Sequence, residues 1–251
     1  MNNNPFIRNP HLEGGDIFWQ GDRTGILLIH GFTATTAEVR LMAEKLREDG
    51  FTISAPLLPG HGTHPDDMNN ARWPMWVESV KTSYENLLGK CNRIYVLGES
   101  MGALLALELA VQHPEIAGLC LFAPAIKVNH LWLSWLVAPF IKFLSKSGED
   151  DGLAWKGYNV NPTRAMIELY KLQRHLRRRL HLIHHPTLVF TGEYDQTIAP
   201  DSANIVLKKI QANPKCHIHM KNSVHCILLD SELGLVHQHV LAFIQSCESI
   251  Q

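Results

Sequence analysis

The chain is poor in the features that mark several large protein classes. Its five cysteines, Cys91, Cys120, Cys216, Cys226 and Cys247, are widely spaced and form no C-x-x-C pair, which argues against a disulfide framework and a zinc module. The longest apolar stretch, Leu131 to Leu144, is broken by Ser134, Pro139 and Lys142. A helix that spans a bilayer needs about 20 apolar residues, so no integral membrane segment is expected. The start, Met1-Asn2-Asn3-Asn4-Pro5, lacks a basic segment followed by an apolar one. The expectation is a soluble, reduced, cytoplasmic protein. Charge of one sign is also scarce, with 23 Lys+Arg against 24 Asp+Glu. That balance gives no general drive toward nucleic acid or anionic lipid. The 15 histidines would add positive charge only below about pH 6.5. Repeats and low-complexity tracts are missing too.

What is present is an alternation of short apolar runs with longer helical patterns. Gly25 to Gly31 reads as a buried strand ending at a glycine. Thr35 or Thr36 can cap the helix that follows, where Val39, Met42 and Leu46 share a face, and Gly50 stops it. Further strands are expected at Thr52–Leu58, Arg93–Leu97, Gly118–Phe122, Pro186–Phe190 and Cys216–Met220. Helices are expected at Trp73–Leu88, Ala103–Val111 and Ser231–Ile244. The Ala103–Val111 run is apolar on all sides, as a central buried helix should be. This order implies βαβ units and a mostly parallel sheet with helices on both faces. At 251 residues the expectation is one domain over 1–251. From Ile126 to about His185 no clear buried strand appears. We read a helical cap insertion at about 126–185, with a polar loop at 145–152 and a helix near Thr163–Leu180. Its Leu169, Leu172, Leu176 and Leu180 form one stripe, and Lys171, Arg174 and Arg177 to Arg179 read as a solvated basic face.

Gly98-Glu99-Ser100-Met101-Gly102 fits G-x-S-x-G, the nucleophile elbow. The elbow is a sharp strand-to-helix turn that lifts the serine oxygen above the sheet, and its glycines leave room that a Cβ would fill. The pattern alone is only moderately specific. Its context, with a strand entering and a buried helix leaving, carries the weight. A serine hydroxyl needs a histidine base, itself oriented by a carboxylate. On such a scaffold the chain order is Ser, then Asp or Glu, then His. Asp195 lies in the turn after the fifth strand, with Glu193 its competitor. His225 lies in the loop after the sixth strand. His217 and His219 fall within a strand pattern, and His237 and His239 in the last helix. Two backbone N–H donors are needed for an oxyanion hole. Met101 follows the nucleophile, and Phe32 sits in the loop after the first strand, so these are the candidates. His30 has no H-x-x-H or H-E-x-x-H partner set, so no metal is expected.

Together His30-Gly31-Phe32, the elbow at 98–102, Gly192 to Asp195 and His225 resemble the α/β-hydrolase superfamily. Gly60-His61-Gly62-Thr63-His64 with Asp67-Met68, Pro200 to Ile205, Asn222-Ser223 before His225 and Leu229-Asp230 after it narrow the likeness. They resemble the bacterial carboxylesterase and monoacylglycerol lipase group. The likeness covers about residues 12 to 245 and is weakest across the cap. It implies the α/β-hydrolase fold and hydrolysis of short-to-medium acyl esters or monoacylglycerols, without cofactor or metal. Two positions depart from the pattern: Glu99 stands where a hydrophobic residue is frequent, and Ala103 where a third glycine is. Glu99 either alters the field at the nucleophile or turns away into a polar contact.

The expected partner is a small-molecule ester, with transient contact at a lipid interface a further option; the residues do not indicate an oligomeric state. Leu131, Trp132, Trp135, Leu136, Phe140 and Phe143 are candidates for an acyl-binding wall, for an interfacial patch, or for core residues that hold the cap. A thioesterase, an amidase, a carbon–carbon bond hydrolase or a perhydrolase could use the same triad. A binding protein on a hydrolase scaffold is the reading from another class.

Overall fold

The computed structural model describes residues 4–146 and 152–249. A seven-stranded sheet organises it. In chain order the strands are β1 (Ile17–Trp19), β2 (Thr24–Ile29), β3 (Thr52–Ala55), β4 (Arg93–Glu99), β5 (Gly118–Phe122), β6 (Thr187–Gly192) and β7 (Lys215–Met220). They lie in the order β7-β6-β5-β4-β2-β3-β1. β1 runs antiparallel to β3, and every other neighbouring pair is parallel. The central strands read as unbroken apolar runs because both of their sides are buried. Ile26 to Ile29, Tyr95 to Leu97 and Leu119 to Phe122 are all fully buried.

The main helices are α1 (Ala37–Glu48), α2 (Trp73–Leu88), α3 (Met101–Gln112), α4 (Thr163–Arg177), α5 (Ser202–Lys209) and α6 (Leu233–Ser249). α1 and α6 pack together on one face of the sheet, and α2 and α3 on the other. α3 is buried at ten consecutive positions, Met101 to Ala110, which explains its lack of a polar side. The parallel architecture read from the sequence is the one observed. β3 ends at Ala55 rather than Leu58, because the chain turns away before Pro59 and Gly60. β1 and α5 were not among the expected elements. A three-residue edge strand and an eight-residue helix carry too little periodicity to register.

Residues 126–185 are inserted between the neighbouring strands β5 and β6. The segment does contain short strands, a correction to the sequence reading. Gly157–Tyr158 is buried and pairs with Ile7–Arg8, and Phe143–Ser145 pairs with Val160–Pro162. Of the polar loop expected at 145–152, residues 147–151 fall outside the described residues. α4 buries Leu169, Leu172 and Leu176 against α2 and α3. Its basic end is not simply solvated. Arg177 donates through Nε to the Ile126 carbonyl at 2.8 Å, and Arg179 and His175 both meet the buried Glu108 of α3. Gln173 donates to the Ala125 carbonyl at 2.6 Å. These bonds anchor α4 to the chain that leaves β5.

Candidate active site

Ser100 stands between the end of β4 and the start of α3 with φ 56° and ψ −110°. A positive φ is costly for a residue with a Cβ, and it persists only where the surroundings impose it. Here the packing imposes it. A Cβ on Gly98 would lie 2.3 Å from the Gly102 carbonyl oxygen, and one on Gly102 would lie 2.0 Å from the Ile29 carbonyl oxygen. Both glycines are therefore required by backbone that has nowhere to move. The Ser100 N–H donates to the Phe122 carbonyl at 2.8 Å, which ties the elbow to β5.

The three residues expected to act together meet in one hydrogen-bonded chain. Ser100 Oγ lies 2.9 Å from His225 Nε2, and His225 Nδ1 lies 2.8 Å from Asp195 Oδ2. An ionised carboxylate can only accept, so Nδ1 carries the proton and Nε2 is free to accept the serine O–H. Asp195 Oδ1 accepts from the N–H groups of Thr197 and Ile198 at 2.8 and 3.2 Å. Burial works against the charge on Asp195. The His225 hydrogen bond and charge, followed by the two backbone donors, more than offset it and hold the carboxyl below its usual range. Glu193, the competitor, pairs instead with His219 Nε2 at 2.5 Å on the exposed edge of the sheet.

The loop after β2 runs beside Ser100. A Cβ on Gly31 would lie 3.3 Å from Ser100 Cβ, which puts the next peptide, Phe32, next to the serine. The Phe32 ring packs edge-on against Trp76 at 6.4 Å. Met101 opens α3, where first-turn N–H groups have no acceptor within the helix. His30 is fully buried and holds this loop. Its Nδ1 donates to the Gly31 carbonyl at 2.9 Å and its Nε2 accepts from Leu58 N–H at 3.1 Å. Burial lowers its pKa to about 4, so it is neutral. Among the described residues, no group of three or more His, Cys, Asp or Glu could hold a metal.

Two buried carboxyls were not expected as parts of the site. Glu38, in the first turn of α1, accepts from Gly31 N–H at 2.5 Å. Glu99 accepts from Leu228 N–H at 3.1 Å, so it turns away into a backbone contact. Glu99 was visible as a departure within the elbow. Glu38 carried no signal, because an acid in a first helical turn is ordinary.

The acyl-wall candidates separate. Leu131 is buried. Trp132, Trp135, Leu136 and Phe140 are exposed, from 49% at Trp135 to 88% at Phe140, so they do not form a buried wall. Leu131 and Ser134 face inward from a 3-10 turn and a one-turn helix, and the helical period turns Trp132, Trp135 and Leu136 out. Phe143 is partly buried against Phe6 at 5.4 Å.

Comparison with known proteins shows the family to which the chain belongs. Residues 21–157 match the family described as serine aminopeptidase, S33. The chain is 31% identical over 239 residues to the thermostable monoacylglycerol lipase of Bacillus sp. (strain H-257), covering 93% of this chain and 96% of that one. It is 30% identical over 235 residues to a carboxylesterase of Bacillus subtilis (strain 168), covering 92% and 96%. Among solved structures, one from work on LipS and LipT, two metagenome-derived lipolytic enzymes, superposes with a TM-score of 0.89 at 26% identity, covering 93% of this chain and 98% of that one. The chain therefore belongs to the α/β-hydrolase superfamily, within the serine aminopeptidase S33 family and beside its bacterial carboxylesterases and monoacylglycerol lipases.

Proposed function

We propose that this protein is a serine esterase that hydrolyses short-to-medium acyl esters, monoacylglycerols among them. The observation that carries the reading is the unbroken chain Asp195–His225–Ser100, with contacts of 2.8 and 2.9 Å, ending on a serine held in the elbow conformation. The relatives named monoacylglycerol lipase and carboxylesterase support the substrate class.

In this reading His225 takes the Ser100 proton as Oγ attacks the ester carbonyl carbon. The carbonyl π electrons move to oxygen, and the N–H groups of Phe32 and Met101 stabilise that oxyanion. Collapse of the tetrahedral species expels the alcohol, which leaves with the proton held by His225. Water then attacks the acyl-enzyme by the same route and regenerates Ser100. No step calls on a cofactor or metal. The reading takes the chain as one domain over 1–251 with a cap at 126–185, and places its work in the cytoplasm. The place of the cap segment between adjacent sheet strands supports the domain reading.

The test is a chain-length series of p-nitrophenyl esters, acetyl to palmitoyl, with Ser100→Ala alongside and monoacylglycerols next. Activity that peaks at short or medium chains, and falls by about 10⁴–10⁶ in the variant, is expected. Absence of ester hydrolysis in the folded protein would overturn the reading, and a thioester or amide panel would then follow.

A further inference from the structure

We propose that Glu38 and Glu99 are positioning residues for this hydrolysis, clamping the oxyanion loop and the histidine loop on either side of the nucleophile. The inference rests on the esterase reading above.

Each carboxyl holds a backbone N–H next to a catalytic element. Glu38 Oε2 accepts from Gly31, whose neighbour Phe32 offers an oxyanion donor. Glu99 adjoins Ser100 in sequence, and its Oε1 accepts from Leu228, three residues beyond His225. A third contact joins the two loops, since the Cys226 thiol lies 4.0 Å from Glu38 Oε1. The oxyanion loop, the nucleophile and the histidine come from β2, β4 and the segment after β7, which no covalent link keeps in register. A pair of carboxyls that bridges them supplies that link. Both are buried, Glu99 completely and Glu38 at 5% exposure. Acids in such positions are expensive and need a reason to be there.

The charge state suits an acceptor more than an anion. Burial, then the neighbouring Glu38 charge, pushes the Glu99 carboxyl well up. Burial also raises Glu38, against the Gly31 hydrogen bond and the charges of His225 and Lys146. Asp195 faces Glu99 as a further negative group. Two neighbouring anions in a buried site are disfavoured. A protonated carboxyl still offers its carbonyl oxygen to a backbone N–H, so a glutamine can reproduce the contact.

The experiment uses Ala, Asp and Gln at each position, scored against wild type for kcat, KM and Tm. Glu38→Ala and Glu99→Ala remove the acceptor, and the Asp variants withdraw it by about one C–C bond. The expected loss is about 10- to 100-fold in kcat with KM nearly constant, the cost of misplacing catalytic groups by about 1 Å. Glu38→Gln and Glu99→Gln are expected to recover kcat to within about threefold. Amide hydrogen exchange at Gly31 and Leu228 should speed up in the Ala and Asp variants and not in the Gln variants. If the Ala variants do not fold, the Asp variants carry the same comparison. Folded Ala or Asp variants with kcat within about twofold of wild type, or Gln variants that fail to recover it, overturn the clamp. Failure of the esterase reading shows separately, as wild-type protein without ester hydrolysis. In that case the positioning role falls with it, whereas active wild type with unaffected Ala and Asp variants overturns the clamp alone.

Discussion

Asp195→Asn is the sharpest perturbation of the site, because the structure dictates how the new side chain must sit. Asp195 uses Oδ1 for the N–H groups of Thr197 and Ile198 and Oδ2 for His225 Nδ1. Asparagine has a single oxygen. Two backbone donors claim it, and the amide nitrogen then faces the ring. The opposite flip would leave both donors against an NH2 group; the exposed Thr197 N–H can turn to water, but the Ile198 N–H, on a buried residue, would cost about 1–3 kcal/mol unsatisfied. The first arrangement is therefore favoured by roughly 1–3 kcal/mol on the same figure. There the amide donates to Nδ1, so the ring proton moves to Nε2 and points at Ser100. The base is lost while the geometry survives. The equivalent change in a serine protease costs about 10⁴ in kcat, or about 5.4 kcal/mol of barrier. We expect a loss of about 10³–10⁴ in kcat on p-nitrophenyl butyrate. KM and the urea midpoint should stay close to wild type, since both backbone hydrogen bonds remain. A variant that keeps more than about a tenth of wild-type kcat would refute the tautomer argument.

Two further outcomes follow from the same contacts. Gly102→Ala places a Cβ 2.0 Å from the Ile29 carbonyl oxygen, a clash with backbone that no rotamer relieves. It should destabilise by at least about 4 kcal/mol, read by urea unfolding, and a cost under about 1 kcal/mol would show that the elbow has slack. Glu99→Gln should stabilise the protein increasingly as pH rises. The folded carboxyl is raised by burial and by Glu38, so above the ordinary value of 4.5 the folded chain holds a proton that the unfolded chain has released. Wild-type stability from this group is complete below that value and declines as pH climbs toward the folded pKa. Unfolding free energies of the two proteins at about pH 5 to 8 should diverge; a constant or shrinking gap would contradict the burial argument.

Much of the scaffold was legible because its physics is local. Ile26 to Ile29 and Leu119 to Phe122 are apolar without interruption, as parallel strands buried on both sides must be. Gly98 and Gly102 mark the elbow because a Cβ there has no space. Asp195 and His225 stand out because each follows a strand in the order that such a sheet requires. Their mutual distances, however, exist only once β4, β6 and β7 are side by side. Glu193 and Asp195 are two residues apart on the same turn, and only the fold sends one to His219 and the other to His225.

The arrangement of residues 126–185 and of the buried acids was decided by tertiary structure alone. Trp132, Trp135, Leu136 and Phe140 are apolar in any reading, yet they stand exposed, because a one-turn helix shows no period long enough to tell its inner side from its outer. Arg179 looks like a solvated cation until α4 lies against α3 and brings it to Glu108. Glu38 looks like a common first-turn acid until α1 turns it under Gly31. By itself, then, the sequence determined six of the seven sheet strands, the elbow and the chain order of the candidate triad, since these depend on burial and sterics within a few residues. Which carboxyl meets which N–H, and which apolar side chains stay wet, depended on contacts between residues tens to hundreds of positions apart, and only the folded chain could decide them.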